Sequence, residues 1–145
     1  MKKILFLYIL LLCCACEEDK SYDPTIMPPI TTTGENTLGC LIDGWIYASG
    51  RFGNPEISTY KEDGNNYIRI ESQVGLFTTL NFTLVNPTQG ATCSYINTTF
   101  DGGTIDGGEA RITRMDGKII SGTFSGGEIS EGRFDVRYQN NEDNN

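Results

Sequence analysis

Beyond residue 36, apolar and polar positions alternate with a period of two, in short runs broken by Gly- and Asp-rich pairs. Successive side chains of a strand point to opposite faces, so each run predicts a half-buried β-strand. Over 37–48, Leu38, Cys40 and Ile42 alternate into Asp43-Gly44, and Trp45 and Tyr47 alternate out of it. Asp-Gly supplies the two positive-φ positions of a two-residue hairpin turn, which predicts Ile42 opposite Trp45, Leu41 opposite Ile46 and Cys40 opposite Tyr47. Leu38, Cys40, Ile42, Trp45 and Tyr47 then share one face, expected to be the core face. A second hairpin is expected from 57–61 and 67–71 around Glu62-Asp63-Gly64-Asn65, with Ile68 and Ile70 on one side. Residues 78–85 predict a strand with Leu80, Phe82 and Leu84 on one face and Thr79, Asn81 and Thr83 on the other, ended by Asn86-Pro87 because proline cannot donate to a ladder.

A short strand at 91–95, a Gly-rich loop at 101–108, an Asp-Gly hairpin from 109–115 and 118–124, and a closing strand at 130–138 complete the pattern. After residue 15 there is no extended apolar 3.6-residue period, so no substantial helix is expected. About eight or nine short strands, linked mainly by local turns, predict an all-β domain over 37–139. The expected architecture is an antiparallel β-sandwich or flattened β-barrel of mostly meander topology. Residues 140–145 are polar and expected to form a disordered tail.

The start of the chain follows another logic. Met1-Lys2-Lys3 is basic, 4–12 is continuously apolar, and small Ala15 precedes Cys16, the layout of a secretory signal over 1–15. The apolar run is too short to span a bilayer, which takes about 20 residues as helix. The join of apolar run, small residue and cysteine resembles a bacterial lipobox, which implies cleavage before Cys16 and acylation of that cysteine. Glu17, Glu18 and Asp19 resemble the acidic export signal that carries Bacteroidota lipoproteins to the outer face of the outer membrane. The alternative is a solvated spacer on a protein facing the periplasm. Residues 16–36, with Pro24, Pro28, Pro29 and Thr31-Thr32-Thr33, read as a tether between the lipid and the domain. It would reach about 25 Å if flexible and up to about 60 Å if stiffened by proline.

Residues 36–47 (Asn-Thr-Leu-Gly-Cys-Leu-Ile-Asp-Gly-Trp-Ile-Tyr), 118–124 (Lys-Ile-Ile-Ser-Gly-Thr-Phe) and 129–138 (Ile-Ser-Glu-Gly-Arg-Phe-Asp-Val-Arg-Tyr) resemble the first hairpin and last strands of small Bacteroidota surface lipoproteins of uncharacterised function. The resemblance spans about residues 36–139. Its motifs are structural, so it implies a fold and an address and no chemistry.

Charge and cysteine usage narrow the partners. The formal net charge is −8, and two of the eleven basic residues, Lys2 and Lys3, leave with the signal. A surplus of acid disfavours nucleic acid and anionic lipid surfaces as partners. With no histidine, His triads, His metal ligands and His acid–base chemistry are excluded. Of five cysteines, Cys13 and Cys14 lie in the signal and Cys16 is the lipid site, which leaves Cys40 and Cys93 as an even pair in an oxidising compartment. A disulfide between them is expected, closing a loop of about 53 residues and stabilising by about 4 kcal/mol.

Candidate chemistry is sparse. Asp101, Asp106 and Glu109 in a Gly-rich stretch have the oxygen chemistry of a calcium site or a glycosidase pair, but match the spacing of neither, and a solvated loop is the simpler expectation. Arg133, Asp135 and Arg137 alternate on one face, with Arg111 and Thr113 beside them, as in a solvent-facing charge ladder. Trp45, Phe52, Tyr60 and Tyr67 offer rings for stacking on sugars, against the plainer role of core and cross-strand packing. The resulting expectation is an outer-membrane, surface-exposed lipoprotein whose non-catalytic β domain binds or scaffolds at the envelope, engaging a glycan or an envelope protein, with no catalytic residue, cofactor or metal. The alternatives are a β-barrel holding a small lipid-like ligand and a carboxylate-dependent hydrolase.

Overall fold

The computed structural model describes residues 26–138. Cys16, Glu17, Glu18 and Asp19, and the tail 140–145, lie outside the described residues. Ten antiparallel strands make up the domain: β1 Thr37–Ile42, β2 Trp45–Ala48, β3 Glu56–Glu62, β4 Asn65–Gln73, β5 Thr79–Val85, β6 Thr92–Phe100, β7 Gly103–Ile105, β8 Gly108–Met115, β9 Ile119–Gly126 and β10 Ile129–Arg137. They form one sheet in the order β2-β1-β10-β9-β8-β6-β5-β4-β3, with β7 added to β6. The sheet curls into a half-barrel, and among the described residues there is no helix.

The turn chemistry sets the local register. At Asp43-Gly44, φ is 52° and 79°, and at Asp63-Gly64 it is 49° and 81°, the left-handed pair of a two-residue hairpin. Ile42 faces Trp45, Leu41 faces Ile46 and Cys40 faces Tyr47, as the pattern predicts. The third turn is tied by Asp116, whose Oδ1 accepts the Lys118 and Ile119 N–H at 3.0 and 2.9 Å and whose Oδ2 accepts from Arg114 at 2.7 Å. These bonds, the Arg114 bond foremost, hold its carboxyl down at about 2. From β3 onward the sheet is a meander, while β1 pairs with β10 and joins the two ends of the domain.

The concave face is the core. Leu38 and Cys40 from β1, Ile70 from β4, Leu80, Phe82 and Leu84 from β5, Tyr95 from β6, Ile112 from β8, Ile120 and Phe124 from β9 and Phe134 and Val136 from β10 are all buried. Four rings fill the middle. Phe82 stacks on Phe124 at 4.6 Å, Tyr95 meets Phe124 edge-on at 5.7 Å, and Phe134 lies 5.9 Å from Phe124. The Tyr95 hydroxyl donates to the Gly126 carbonyl at 3.2 Å, and burial, with Cys40 nearby, raises its pKa to about 12.

Several expectations change. Strand β6 runs to Phe100 and β7 lies within the expected loop, so ten strands replace eight or nine. Trp45 has the inward parity of Ile42 yet is 72% exposed, because it sits at the tip of the hairpin, past the rim of the packed interior. Cys40 and Cys93 are free thiols. Cys40 on β1 and Cys93 on β6 are separated in the ladder by β10, β9 and β8. The expected tether also differs. Within residues 26–36, Pro28 and Gly34 are buried and the segment is fastened to the sheet through Asp135 and the arginines of β8 and β10.

Candidate functional site

The sequence-predicted aromatics do not form one platform. Trp45 stands at the β1–β2 tip. Tyr60 and Tyr67, opposite each other on β3 and β4, stack at 4.9 Å and 17°. Phe52 belongs to the connection from β2 to β3, where the Gly50 N–H donates to the Gly53 carbonyl at 3.2 Å and closes a tight turn that carries Arg51 and Phe52. The turn sets Phe52 at the edge of a cleft of about 390 Å³.

The rest of that cleft comes from the outward parity of three neighbouring strands. Register aligns Glu56 on β3 with Glu71 on β4 and Asn81 on β5, and aligns Gln73 with Thr79 one step along. All five side chains line the cleft, together with Asn54 from the loop and Ser72. Glu71 is paired with Arg69 at 2.7 Å, Asn81 donates to the Thr99 hydroxyl at 3.2 Å, and Gln73 donates to the Leu76 carbonyl at 2.8 Å. The Ser72 hydroxyl is buried and has no hydrogen-bond partner among the described residues. Two carboxylates directly opposite each other oppose strand pairing, so Glu56 and Glu71 are a local cost of this surface that Arg69 offsets in part. The cleft thus joins one aromatic ring to a bed of amides, carboxylates and hydroxyls. A ring covers the apolar face of a pyranose, while amide and carboxylate groups match its hydroxyls.

The three acids of the Gly-rich stretch do not gather into one group. Asp101 sits in the β6–β7 turn, Asp106 packs against Gly127 of the β9–β10 turn, and Glu109 is on β8. Among the described residues no group of three or more acids, cysteines or histidines is placed to hold a metal. The thiols are likewise poor candidates for chemistry. Burial pushes Cys40 up to about 12 and also raises Cys93, against a lowering bond from the Val85 backbone, so neither favours the thiolate.

The charge face of β10 carries the largest departure. Asp135, whose alternation with Arg133 and Arg137 predicts a solvent-facing position, is buried, covered by residues 31–35. Its carboxylate accepts from the Thr31 hydroxyl at 2.6 Å, the Ser121 hydroxyl at 2.6 Å and the Gly34 and Glu35 N–H groups at 2.9 Å. Burial alone would raise this carboxyl, but the four donors outweigh it and hold the group below the ordinary carboxylate range. Around it Arg137 donates to the Gly34 and Thr33 carbonyls, and Arg114 to the Thr32 carbonyl. Parity gave the face correctly; the Thr-rich run at 31–33 was the one sequence signal for its cover, and it reads equally well as linker.

Compared with known proteins, the chain matches no family model, and no curated protein or solved structure is significantly similar to it.

Proposed function

We propose that this chain is a lipid-anchored, surface-exposed, non-catalytic glycan-binding protein of the outer membrane, held by acylated Cys16 and directed outward by Glu17, Glu18 and Asp19. The observation that carries the binding part is the Phe52 cleft, where one ring borders a surface set by three neighbouring strands and lined by Glu56, Glu71, Gln73, Thr79 and Asn81. The filled interior gives no support to a lipid-holding barrel, because Phe82, Tyr95, Phe124 and Phe134 occupy its centre. Phe52 stacks on the sugar face, and Asn54, Glu56, Asn81 and Gln73 take its hydroxyls. The sugar is bound and released unchanged.

Two experiments test the two halves. Protease shaving of intact cells is expected to release the domain, and replacing Glu17-Glu18-Asp19 with alanines is expected to protect it; a wild type that is already protected defeats the surface assignment. On an array of neutral oligosaccharides the purified protein is expected to bind at least one class, and Phe52→Ala to lower that binding about tenfold or more with the melting temperature little changed. A silent array, or equal binding by the variant, overturns the glycan assignment.

A further inference from the structure

Further along the sheet from the Phe52 cleft, β6, β8, β9 and β10 carry a second depression on the outer face, a groove of about 420 Å³. Its floor is a row in register, Thr92 on β6, Arg111 on β8, Thr123 on β9 and Arg133 on β10. Glu109 and Ser125 form the next row, and Ile30 of the N-terminal segment contributes the wall. Glu131 enters through an irregularity. The β10 register shifts between Ile129 and Gly132, and Glu131 adopts φ 50°, a left-handed conformation that a glutamate takes at a cost. Strain of this kind is kept where the surrounding structure enforces it, and bulges gather beside sites.

Neither guanidinium of this groove is paired with a carboxylate among the described residues. Among the described residues Arg111 makes no hydrogen bond or ion pair, and Arg133 is bonded only to carbonyls, Glu131 at 3.2 Å and Pro28 at 3.3 Å. Glu109 and Glu131 line the same groove without reaching either guanidinium. Two ladder spacings, about 10 Å, separate the Arg111 and Arg133 backbones, with the Thr123 hydroxyl between them. Two guanidiniums with no carboxylate partner on one row have the chemistry to receive an anion, since a guanidinium fork matches a carboxylate or sulfate with two parallel bonds. The carboxylates beside that row can accept hydrogen bonds from hydroxyl groups.

We infer that the groove binds an acidic saccharide, a sugar bearing a carboxylate or sulfate. Arg111 takes the anion through its fork, Arg133 adds charge from a position fixed by its carbonyl bonds, and Glu109, Glu131, Thr92 and Ser125 hold ring hydroxyls. This site goes beyond the neutral-sugar cleft and does not rest on it.

Titration calorimetry of the purified full-length protein tests the inference with four probes: a trigalacturonate, a sulfated chondroitin disaccharide, a neutral maltotriose and inorganic sulfate. One of the two acidic sugars is expected to bind, and which one does separates the carboxylate from the sulfate source. Arg111→Gln is expected to weaken that binding about tenfold or more while leaving the melting temperature unchanged, because Arg111 has no partner to lose. Arg111→Lys keeps the charge but loses the fork and is expected to fall between the two. Phe52→Ala is expected to leave acidic binding intact, which separates this site from the other cleft. No binding of either acidic sugar overturns the inference. So does equal binding by Arg111→Gln, or binding of inorganic sulfate as tight as that of the sugar.

Discussion

Asp135 shows at the scale of one residue how far alternation reaches. Its parity on β10 was legible, outward with Arg133 and Arg137, but burial depends on what covers the face, and a segment a hundred residues upstream does so. A carboxylate with four donors in a dry setting is worth more than an exposed ion pair, since removing it leaves several buried donors unpaired. Asp135→Ala is therefore expected to cost about 3 kcal/mol, a fall of about 12–24 °C in melting temperature for a domain of this size. The pH dependence has a definite sign. The folded pKa lies below the unfolded value of about 3.9, so the unfolded chain takes up protons first as pH falls. The stabilisation is complete above that unfolded value and is lost as pH drops through the folded one. The other charged groups nearby are Glu35, whose carboxylate accepts from the Thr33 hydroxyl, Arg137, which donates to the Gly34 and Thr33 carbonyls, and Arg114, which donates to the Thr32 carbonyl. Melting curves between neutral pH and about pH 2 are expected to show a steep acid loss in the wild type and a shallower one in Asp135→Asn. Parallel slopes would place the acid sensitivity elsewhere.

Among elements, hairpins closed by Asp-Gly were the readable part, because the turn dictates the register and the register dictates the faces. The β1–β2 pairing follows from Asp43-Gly44 alone. What escaped were places where the period breaks. At Asn97 φ is 51°, and the β5–β6 register shifts, so Tyr95 and Thr98 are both buried although three positions apart. An alternation count stops there, and the second half of β6 with β7 beyond it reads as loop. The cleft at Phe52 was legible only through its ring. Glu56, Glu71 and Asn81 are distant in sequence, and only the registers of two ladders bring them together. The N-terminal segment reads as linker because prolines and threonines signal extension without saying what the extended chain lies on. A test of that packing uses Gly39 on β1, where an added Cβ would stand 2.6 Å from Pro28 Cδ and 3.0 Å from Met27 Sδ. A proline ring on a fixed backbone cannot swing aside, so Gly39→Ala is expected to lift the segment and cost about 1–3 kcal/mol. Hydrogen exchange at the Gly34 and Glu35 amides reads this directly: fast exchange in the variant with β9 and β10 still protected is the expected result, and unchanged protection would show that the segment shifts without detaching.

For the whole molecule, β2 and β3 end the sheet order and the curl brings inner faces together, as the 4.8 Å contact of Tyr47 on β2 with Phe100 on β6 shows. Cysteine counting worked on the chain without that shape. Counting pairs Cys40 with Cys93 as the two that remain, but it carries no distance, and a disulfide also needs Cα atoms about 4.4–6.8 Å apart with side chains aimed at each other. Here Cys40 is buried beneath β1 and joins the core, Cys93 is half-buried at its margin, and both sulfurs are free. The magnitudes make the outcome easy to read. A bond closing about 53 residues would add about 4 kcal/mol, which at 4–8 °C for each kcal/mol is a shift of about 16–32 °C on reduction. The free-thiol structure predicts instead a melting curve indifferent to reductant. It also predicts that a thiol reagent modifies Cys93 first, and Cys40 only at the rate of global opening, since a thiol held at about 12 and fully enclosed presents no thiolate to solvent. Mass mapping of protein made in an oxidising compartment decides the point, because a linked peptide pair, or a curve that drops with reductant, would mean that the half-barrel closes further than its ladder requires and draws β1 onto β6.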